Sequence, residues 1–129
     1  MTDEQFLRLI DRFLAGEVSA GSFWERFTAG WTERVEALWA EVNSLAEFTR
    51  SHRAFLAGRL DDVEYTKLLV ATVGGQRAYD FQAMIDAVHS AAACYRPEPQ
   101  MEGEIDDKQL LSEVRDLVSE YKSSHPSQA

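Results

Sequence analysis

Residues 95–121 read YRPEPQMEGEIDDKQLLSEVRDLVSEY, and this stretch decides how the end of the chain folds. Between positions 97 and 107 it has neither Lys nor Arg but five carboxylates, at Glu98, Glu102, Glu104, Asp106 and Asp107. Two prolines and a glycine in the same run oppose a helix. Apolar residues then return at helical spacing, at Leu110, Leu111, Val114, Leu117 and Val118. The stretch therefore predicts an acidic loop followed by an amphipathic helix.

The start of this last helix has two recognisable signals. Asp106 suits the N-cap and Gln109 the third helical position, so that together they predict a capping box. Ile105 and Leu110 have the spacing of a hydrophobic staple across the same cap. We therefore expect the helix to begin directly after Asp106.

The five acids do not have equal claims to be binding residues. Asp106 and Asp107 are explained by the helix start alone, since negative charge stabilises the positive end of a helix dipole by roughly 0.3–1 kcal/mol per residue. Glu98 and Glu102 lie outside the first turn and gain nothing from the dipole. We predict that all five acids, including Glu104, belong to a binding surface, with Glu98 and Glu102 as its strongest candidates.

The beginning of the chain predicts two more helices. Thr2 and Gln5 have capping-box spacing, and the apolar residues that follow repeat at helical intervals until Gly16 provides a stop. Ser19 or Ser22 then begins a second helix.

The middle of the chain leaves alternatives open. Gly30 either ends or bends the second helix. The apolar residues that follow have the spacing of a packed helix seam: Trp31, Val35, Leu38, Val42 and Leu45. Ser44 and Glu47 form another capping-box pair, so residues 31–45 belong either to one bent helix or to two.

A tetrapeptide also recurs: Phe55-Leu56-Ala57-Gly58 repeats Phe13-Leu14-Ala15-Gly16, and a new helix follows each copy. This hints at an internal duplication. Further helices are predicted over about residues 62–73, ending at Gly74-Gly75, and about residues 78–95. With no period-two strand pattern, the prediction is an all-α, single-domain bundle of about six helices over residues 1–122, with a frayed tail at 123–129.

Composition narrows the classes of function. The 129 residues carry a net charge of −9, from 13 Lys and Arg against 22 Asp and Glu, which opposes nucleic-acid binding and favours a basic partner. Cys94, the only cysteine, excludes an internal disulfide and is predicted to be a buried small hydrophobe. An acidic start and the lack of a long apolar run predict a cytoplasmic protein without a membrane span.

No catalytic or cofactor motif stands out. The nearest approach to a metal-ligand pair is Asp86-x-x-His89, and one such pair on a helix is typical of a surface contact. Phosphate-loop, zinc-protease and nucleophile-elbow motifs are missing from the sequence, which favours a protein that is not an enzyme and binds no cofactor or metal. Trp24, Trp31 and Trp39 are predicted to be core residues; the alternative is that they anchor a partner.

Two segments resemble the bacterial self-protective colicin-like immunity family, the family of the colicin D immunity protein. The first is LIDRFLAGEVSAGSFWERF, residues 9–27, which is similar to the opening helix, stop and second helix of that family. The second is residues 91–121, with an aromatic residue before Pro97, the junction Glu104-Ile105-Asp106-Asp107, and Glu113-Val114-Arg115 in the last helix. Together they cover less than half of the chain.

The resemblance implies a small helical protein that binds the basic nuclease domain of a tRNA-cleaving toxin. Acidic side chains would cover the active-site cleft at the positions where RNA phosphates lie. The protein is expected to be a monomer in this complex. Glu98 follows Pro97 where the loop of the family has an acid, whereas Ala93 and Arg96 stand where acids are expected. This departure implies a toxin with a differently shaped cleft.

The middle of the chain, residues 28–83, has no counterpart in this resemblance. Because residues 55–69 repeat the opening pattern, they are an alternative match to the first helices of the family, with residues 1–54 as an added hairpin. Two other functions remain open: an acidic helical adaptor that pairs with another helical protein, and an enzyme or metal carrier built on Asp86 and His89.

Overall fold

The computed structural model describes residues 1–43 and 46–125, apart from the side chains at positions 42 and 46–48. Within these residues the chain forms six helices and no strand. The helices are α1 (Asp3–Leu14), α2 (Ala20–Asn43), α3 (Ala46–Leu56), α4 (Asp62–Thr72), α5 (Gln76–Ala93) and α6 (Asp107–Ser124). The predicted all-α, single-domain bundle is confirmed. No described helix has the length and apolar character that crossing a membrane requires.

Both capping boxes predicted at the chain ends form. The Thr2 hydroxyl accepts a hydrogen bond from the backbone N–H of Gln5 at 3.2 Å, and the Gln5 side chain accepts one from the N–H of Thr2 at 2.8 Å. Asp106 and Gln109 exchange the same pair of bonds at 2.9 and 3.0 Å. These bonds satisfy backbone donors that have no partner inside a helix, so they fix where α1 and α6 begin.

The other predicted boundaries are resolved in part. Ser19 caps α2, since its hydroxyl accepts a hydrogen bond from the N–H of Ser22 at 3.2 Å. The helix continues through Gly30 to Asn43, so Gly30 does not end it, and α3 begins as a separate helix at Ala46. The proposed pairing of Ser44 with Glu47 lies outside the described residues.

The core is built by α1, the first half of α2, α5 and α6. Phenylalanines dominate it: Phe13 stacks on Phe23 with ring centroids 4.2 Å apart, and Phe6 meets Phe27 edge-on at 5.3 Å. Phe81 of α5 meets Tyr121 of α6 edge-on, with centroids 5.7 Å apart. The staple residues Ile105 and Leu110 are both buried in this core, as predicted.

Arg34 ties three of these helices together from the middle of α2. Its guanidinium donates to Asp3 of α1 at 2.6 Å and to Gln82 of α5 at 3.0 Å. It also lies over the rings of Phe6 and Phe81, at 5.6 and 5.2 Å from their centroids. The cation therefore has both an anionic partner and two aromatic faces at the edge of the core.

The hairpin of α3 and α4 is different, because none of its described side chains is buried. Within the hairpin, Phe55 stacks on Tyr65 with centroids 4.3 Å apart. Leu56 and Val63 remain 70% and 64% exposed. The structure thus places residues 3–27 in the core and residues 55–69 outside it, which opposes the alternative that the first 54 residues are an added hairpin.

Three predictions of burial are wrong. Trp24 and Trp39 are 37% and 49% exposed, and only Trp31 is partly buried against the core. The buried face of α2 runs through Phe23 and Phe27, which leaves the tryptophans on the adjoining face. Cys94 is exposed, because at the C-cap of α5 it follows the buried Ala91 and Ala92 around the helix.

The end of the chain is more ordered than a tail beginning at residue 123 implies. Helix α6 continues through Ser124, and the ring of His125 contacts the carboxylate of Asp80 at 3.0 Å. Residues 126–129 of the predicted frayed tail lie outside the described residues.

Candidate binding surface

The connection between α5 and α6 is a closed loop, residues 96–104, which we call the acidic loop. Its ends are held together by two backbone hydrogen bonds, from Ile105 to the carbonyl of Cys94 and from Arg96 to the carbonyl of Ile105, both at 2.9 Å. Tyr95 and Ile105, which flank the loop, are buried in the core. The loop therefore projects from a fixed base.

Glu104 holds the interior of the acidic loop. One of its oxygens accepts hydrogen bonds from the N–H groups of Gln100 and Met101, each at 2.9 Å, and the other lies 3.3 Å from the guanidinium of Arg96. These two backbone hydrogen bonds, with help from Arg96, lower the pKa of Glu104. Its carboxylate is thus occupied within the loop.

Arg96 adds a second restraint to the base of the loop. Its guanidinium also donates to the backbone carbonyls of Ala93 at 3.2 Å and Tyr95 at 2.6 Å. An arginine at this position departs from the acid expected by resemblance. The structure gives it a physical role, because it joins the end of α5 to Glu104.

Asp106 and Asp107 also have partners within the protein. Asp106 is the N-cap of α6. The pKa of Tyr95 is raised mainly by burial and, to a smaller extent, by a hydrogen bond to the side chain of Asp107. The five predicted acids therefore lie together at one loop and helix start, but three of them, counting Glu104, support the local structure.

Glu98 and Glu102 remain, and both are exposed. Neither forms an ion pair or side-chain hydrogen bond with any residue that the structure describes. Each carboxylate lies in a loop whose base is fixed by backbone bonds and whose interior is fixed by Glu104. Met101, between them in sequence, is 73% exposed. Besides the Arg96–Glu104 ion pair, the acidic loop thus presents two carboxylates that no described residue pairs and one flexible apolar side chain to solvent.

A second feature lies along α2 and α5, where Trp31 organises Asp86 and His89. The indole N–H of Trp31 donates to Asp86 Oδ1 at 2.8 Å, and its ring stacks on His89 with centroids 3.6 Å apart. Burial lowers the pKa of His89, against the opposing effect of Asp86. The described residues contain no group of three or more metal-ligating side chains, and this pair is used in packing.

A pocket of about 340 Å³ opens beside Trp31 between α2, α4 and α5, and we call it the Trp39 pocket. Asp86 and Gln82 provide polar groups in its wall. The rest of the lining is aromatic or aliphatic: Trp31, Val35, Leu38 and Trp39 of α2, Leu69 of α4, Val73, and Tyr79 and Ala83 of α5. The sequence pattern predicted that residues 31, 35 and 38 form a packed helix seam. It did not predict that a pocket would remain between this seam and α4.

The contacts of Trp31 with Asp86 and His89, and of Arg34 with Gln82, show that α2 and α5 are antiparallel. Trp24 lies two turns before Trp31, toward the end of α5 from which the acidic loop leaves. The exposed Trp24 and the exposed acids therefore occur toward the same end of the bundle, whereas Trp39 lies toward the other end, beside Tyr79. Comparisons with models of protein families, with curated proteins and with solved structures found no match to the chain.

Proposed function

We propose that this protein is an immunity protein that binds and inhibits the nuclease domain of a cognate bacterial toxin, a tRNA-cleaving bacteriocin or contact-delivered toxin. The observation that carries the proposal is the pair of exposed carboxylates, Glu98 and Glu102, on a loop that the protein itself holds in shape. The resemblance of residues 9–27 and 91–121 to the colicin-like immunity family supports it. The acidic loop would occupy a basic cleft that otherwise holds RNA phosphates.

Both charge and preorganisation favour such binding. A net charge of −9 raises the rate of encounter with a basic nuclease domain, since opposite charges steer association. The loop is closed by backbone bonds and contains Pro97 and Pro99, so docking orders little additional backbone. Inhibition requires no chemistry from this protein, because covering the cleft excludes the substrate. A cytoplasmic location, and binding as a monomer, belong to the same proposal.

The exposure of Trp24 and Trp39 favours a second candidate, an acidic adaptor that pairs with another helical protein. In that case the aromatic face of α2 is the main contact and the acidic loop is incidental. The two functions differ in how binding depends on charge. Only binding to a basic cleft should depend strongly on the carboxylates of the acidic loop.

The test uses the nuclease domain of the toxin encoded immediately upstream of this gene, mixed with tRNA and increasing amounts of the protein. We expect tRNA cleavage to stop near one equivalent. We also expect the association rate to fall steeply with salt, while dissociation changes less. Unchanged cleavage in excess protein, or an upstream gene that encodes no toxin, contradicts the proposal and favours the adaptor.

A further inference from the structure

Asp86 carries a negative charge that forms no ion pair with a Lys or Arg of the described residues. Its Oδ1 accepts hydrogen bonds from the indole of Trp31 and the side-chain amide of Gln82, each at 2.8 Å, and both donors are neutral. Among the described residues, no Lys or Arg lies within ion-pair distance of this carboxylate. Burial lowers the pKa of His89, one turn further along α5, against the opposing effect of Asp86, and so favours the uncharged ring. Asp86 is therefore held in position without an ion pair to a Lys or Arg that the structure describes.

The Trp39 pocket surrounds this charge with surfaces that suit an organic cation. Three aromatic side chains, Trp31, Trp39 and Tyr79, line it together with aliphatic residues of α2 and α4. Aromatic faces attract cations, and aliphatic walls accommodate an apolar stem. None of the described residues that line the pocket is cationic, and about 340 Å³ lies within the size range of small-ligand sites.

We infer that the Trp39 pocket is a binding site for an arginine side chain presented by a protein partner. The guanidinium group meets Asp86, whose second oxygen accepts no hydrogen bond from a described residue, and the stem lies along the apolar wall. Arginine fits better than lysine because its planar guanidinium both stacks on aromatic rings and donates parallel hydrogen bonds to a carboxylate. The inference does not depend on the acidic loop, since the described residues that line the pocket belong to α2, α4, the turn after α4, and α5.

The test follows the three tryptophan indole N–H signals by nuclear magnetic resonance at neutral pH. The probe is N-acetyl-arginine amide, and its uncharged match is N-acetyl-citrulline amide, which has nearly the same shape. We expect millimolar concentrations of the arginine probe to shift the signals of Trp31 and Trp39. The signal of Trp24, which lies outside the pocket, should not shift. The citrulline probe should bind about tenfold more weakly, since it lacks the charge.

Asp86→Asn keeps the shape of the side chain and its ability to accept from Trp31, but removes the charge. We expect it to weaken binding of the arginine probe about tenfold, whereas Asp116→Asn, on the exposed face of α6, leaves binding unchanged. Melting curves check that each variant is folded. If Asp86→Asn does not fold, Trp39→Ala at its half-exposed position replaces it, with the same expected loss.

Equal binding of the citrulline and arginine probes, or shifts confined to Trp24, would overturn the inference. An absence of any shift up to about 50 mM probe overturns it as well, since even weak sites are populated there. The flexible peptide Gly-Ser-Arg-Ser-Gly tests the source of the cation. If the peptide binds at least as tightly as the arginine amide, the result supports an arginine side chain of a protein as the ligand. If the peptide does not bind, the pocket accepts only free guanidinium compounds, which contradicts our assignment.

Discussion

The turn after α1 and the turn after α3 share the sequence Phe-Leu-Ala-Gly and the same backbone, yet they differ in burial. At both, the glycine has positive φ, +80° at Gly16 and +73° at Gly58, and equivalent carbonyls accept the same hydrogen bonds. Phe13 is buried and stacked on Phe23, whereas Phe55 is half-buried against Tyr65. Local sequence thus decides the turn, and the elements that pack against it decide whether it contributes to the core.

The largest expected difference between the two turns concerns their phenylalanines. Phe13→Ala should lower the free energy of unfolding by about 3–5 kcal/mol, because it leaves a cavity in the core. Phe55→Ala removes a half-buried ring and its stack on Tyr65, which is worth about 0.5–1.5 kcal/mol beyond the area that the ring buries, so its loss should be clearly smaller than that of Phe13→Ala. Urea unfolding of both variants measures this contrast. Equal losses would mean that α3 and α4 contribute as much to the core as α1 and α2.

The glycines should show no such difference. A Cβ at either Gly16 or Gly58 meets no atom within 4 Å, so alanine at each introduces only the strain of positive φ. We expect Gly16→Ala and Gly58→Ala to cost about 1–2 kcal/mol each. The same unfolding experiment compares them, and a large excess at Gly16 would show that the turns are not equivalent in backbone.

The cap of α6 gives a smaller effect that separates stability from binding. Asp106→Ala should lose about 1 kcal/mol of stability through the missing hydrogen bond to the backbone N–H of Gln109. Its effect on inhibition should be smaller than that of changes at Glu98 and Glu102. Melting curves beside inhibition titrations distinguish the two, and a variant that melts normally but fails to inhibit would place Asp106 in the contact itself.

The smallest expected effect is the pH dependence that Glu104 contributes. The pKa of Glu104 is lower in the folded protein than in the unfolded chain. Its contribution to folding stability is therefore present at a pH above the pKa of the unfolded chain, and it is lost as the pH falls through the pKa of the folded protein. Wild type should therefore exceed Glu104→Gln in stability at neutral pH, and the difference should shrink as the pH falls below about 5. A difference that is independent of pH would contradict the role of the Glu104 carboxylate.

The sequence predicted the features that local chemistry determines. The capping pairs at Thr2 and Asp106 and the stop at Gly16 formed as expected, because a cap needs only residues three or four positions apart. Burial was harder to predict, since the apolar spacing of Trp24 and Trp39 cannot show whether another helix covers them.

The candidate site was predicted in the same uneven way. The run of five acids was visible in the sequence, and Glu98 and Glu102 were distinguished because they lie outside the helix start. The role of Glu104 was not visible, because it depends on loop closure that brings Arg96 and the backbone of Gln100 and Met101 to one carboxylate. The position of Asp86 in a pocket likewise depends on α4.

The most direct measurement is a titration of nuclease inhibition with the double variant Glu98→Gln, Glu102→Gln. Its matched control is the double variant Asp116→Asn, Glu120→Gln, which removes the same charge from the exposed surface of α6. Glu120 lies about 20 Å along this helix from the acidic loop. Melting curves of both should stay within about 0.5 kcal/mol of wild type.

We predict that the loop variant loses roughly 2–5 kcal/mol of binding for each carboxylate that meets a buried cation, or about 30-fold or more in the inhibitory concentration. The control should inhibit nearly as well as wild type. Full protection by the loop variant at wild-type concentrations would show that the acidic loop is not the inhibitory surface, and the face of α2 around Trp31 and Trp39 would be the next surface to test.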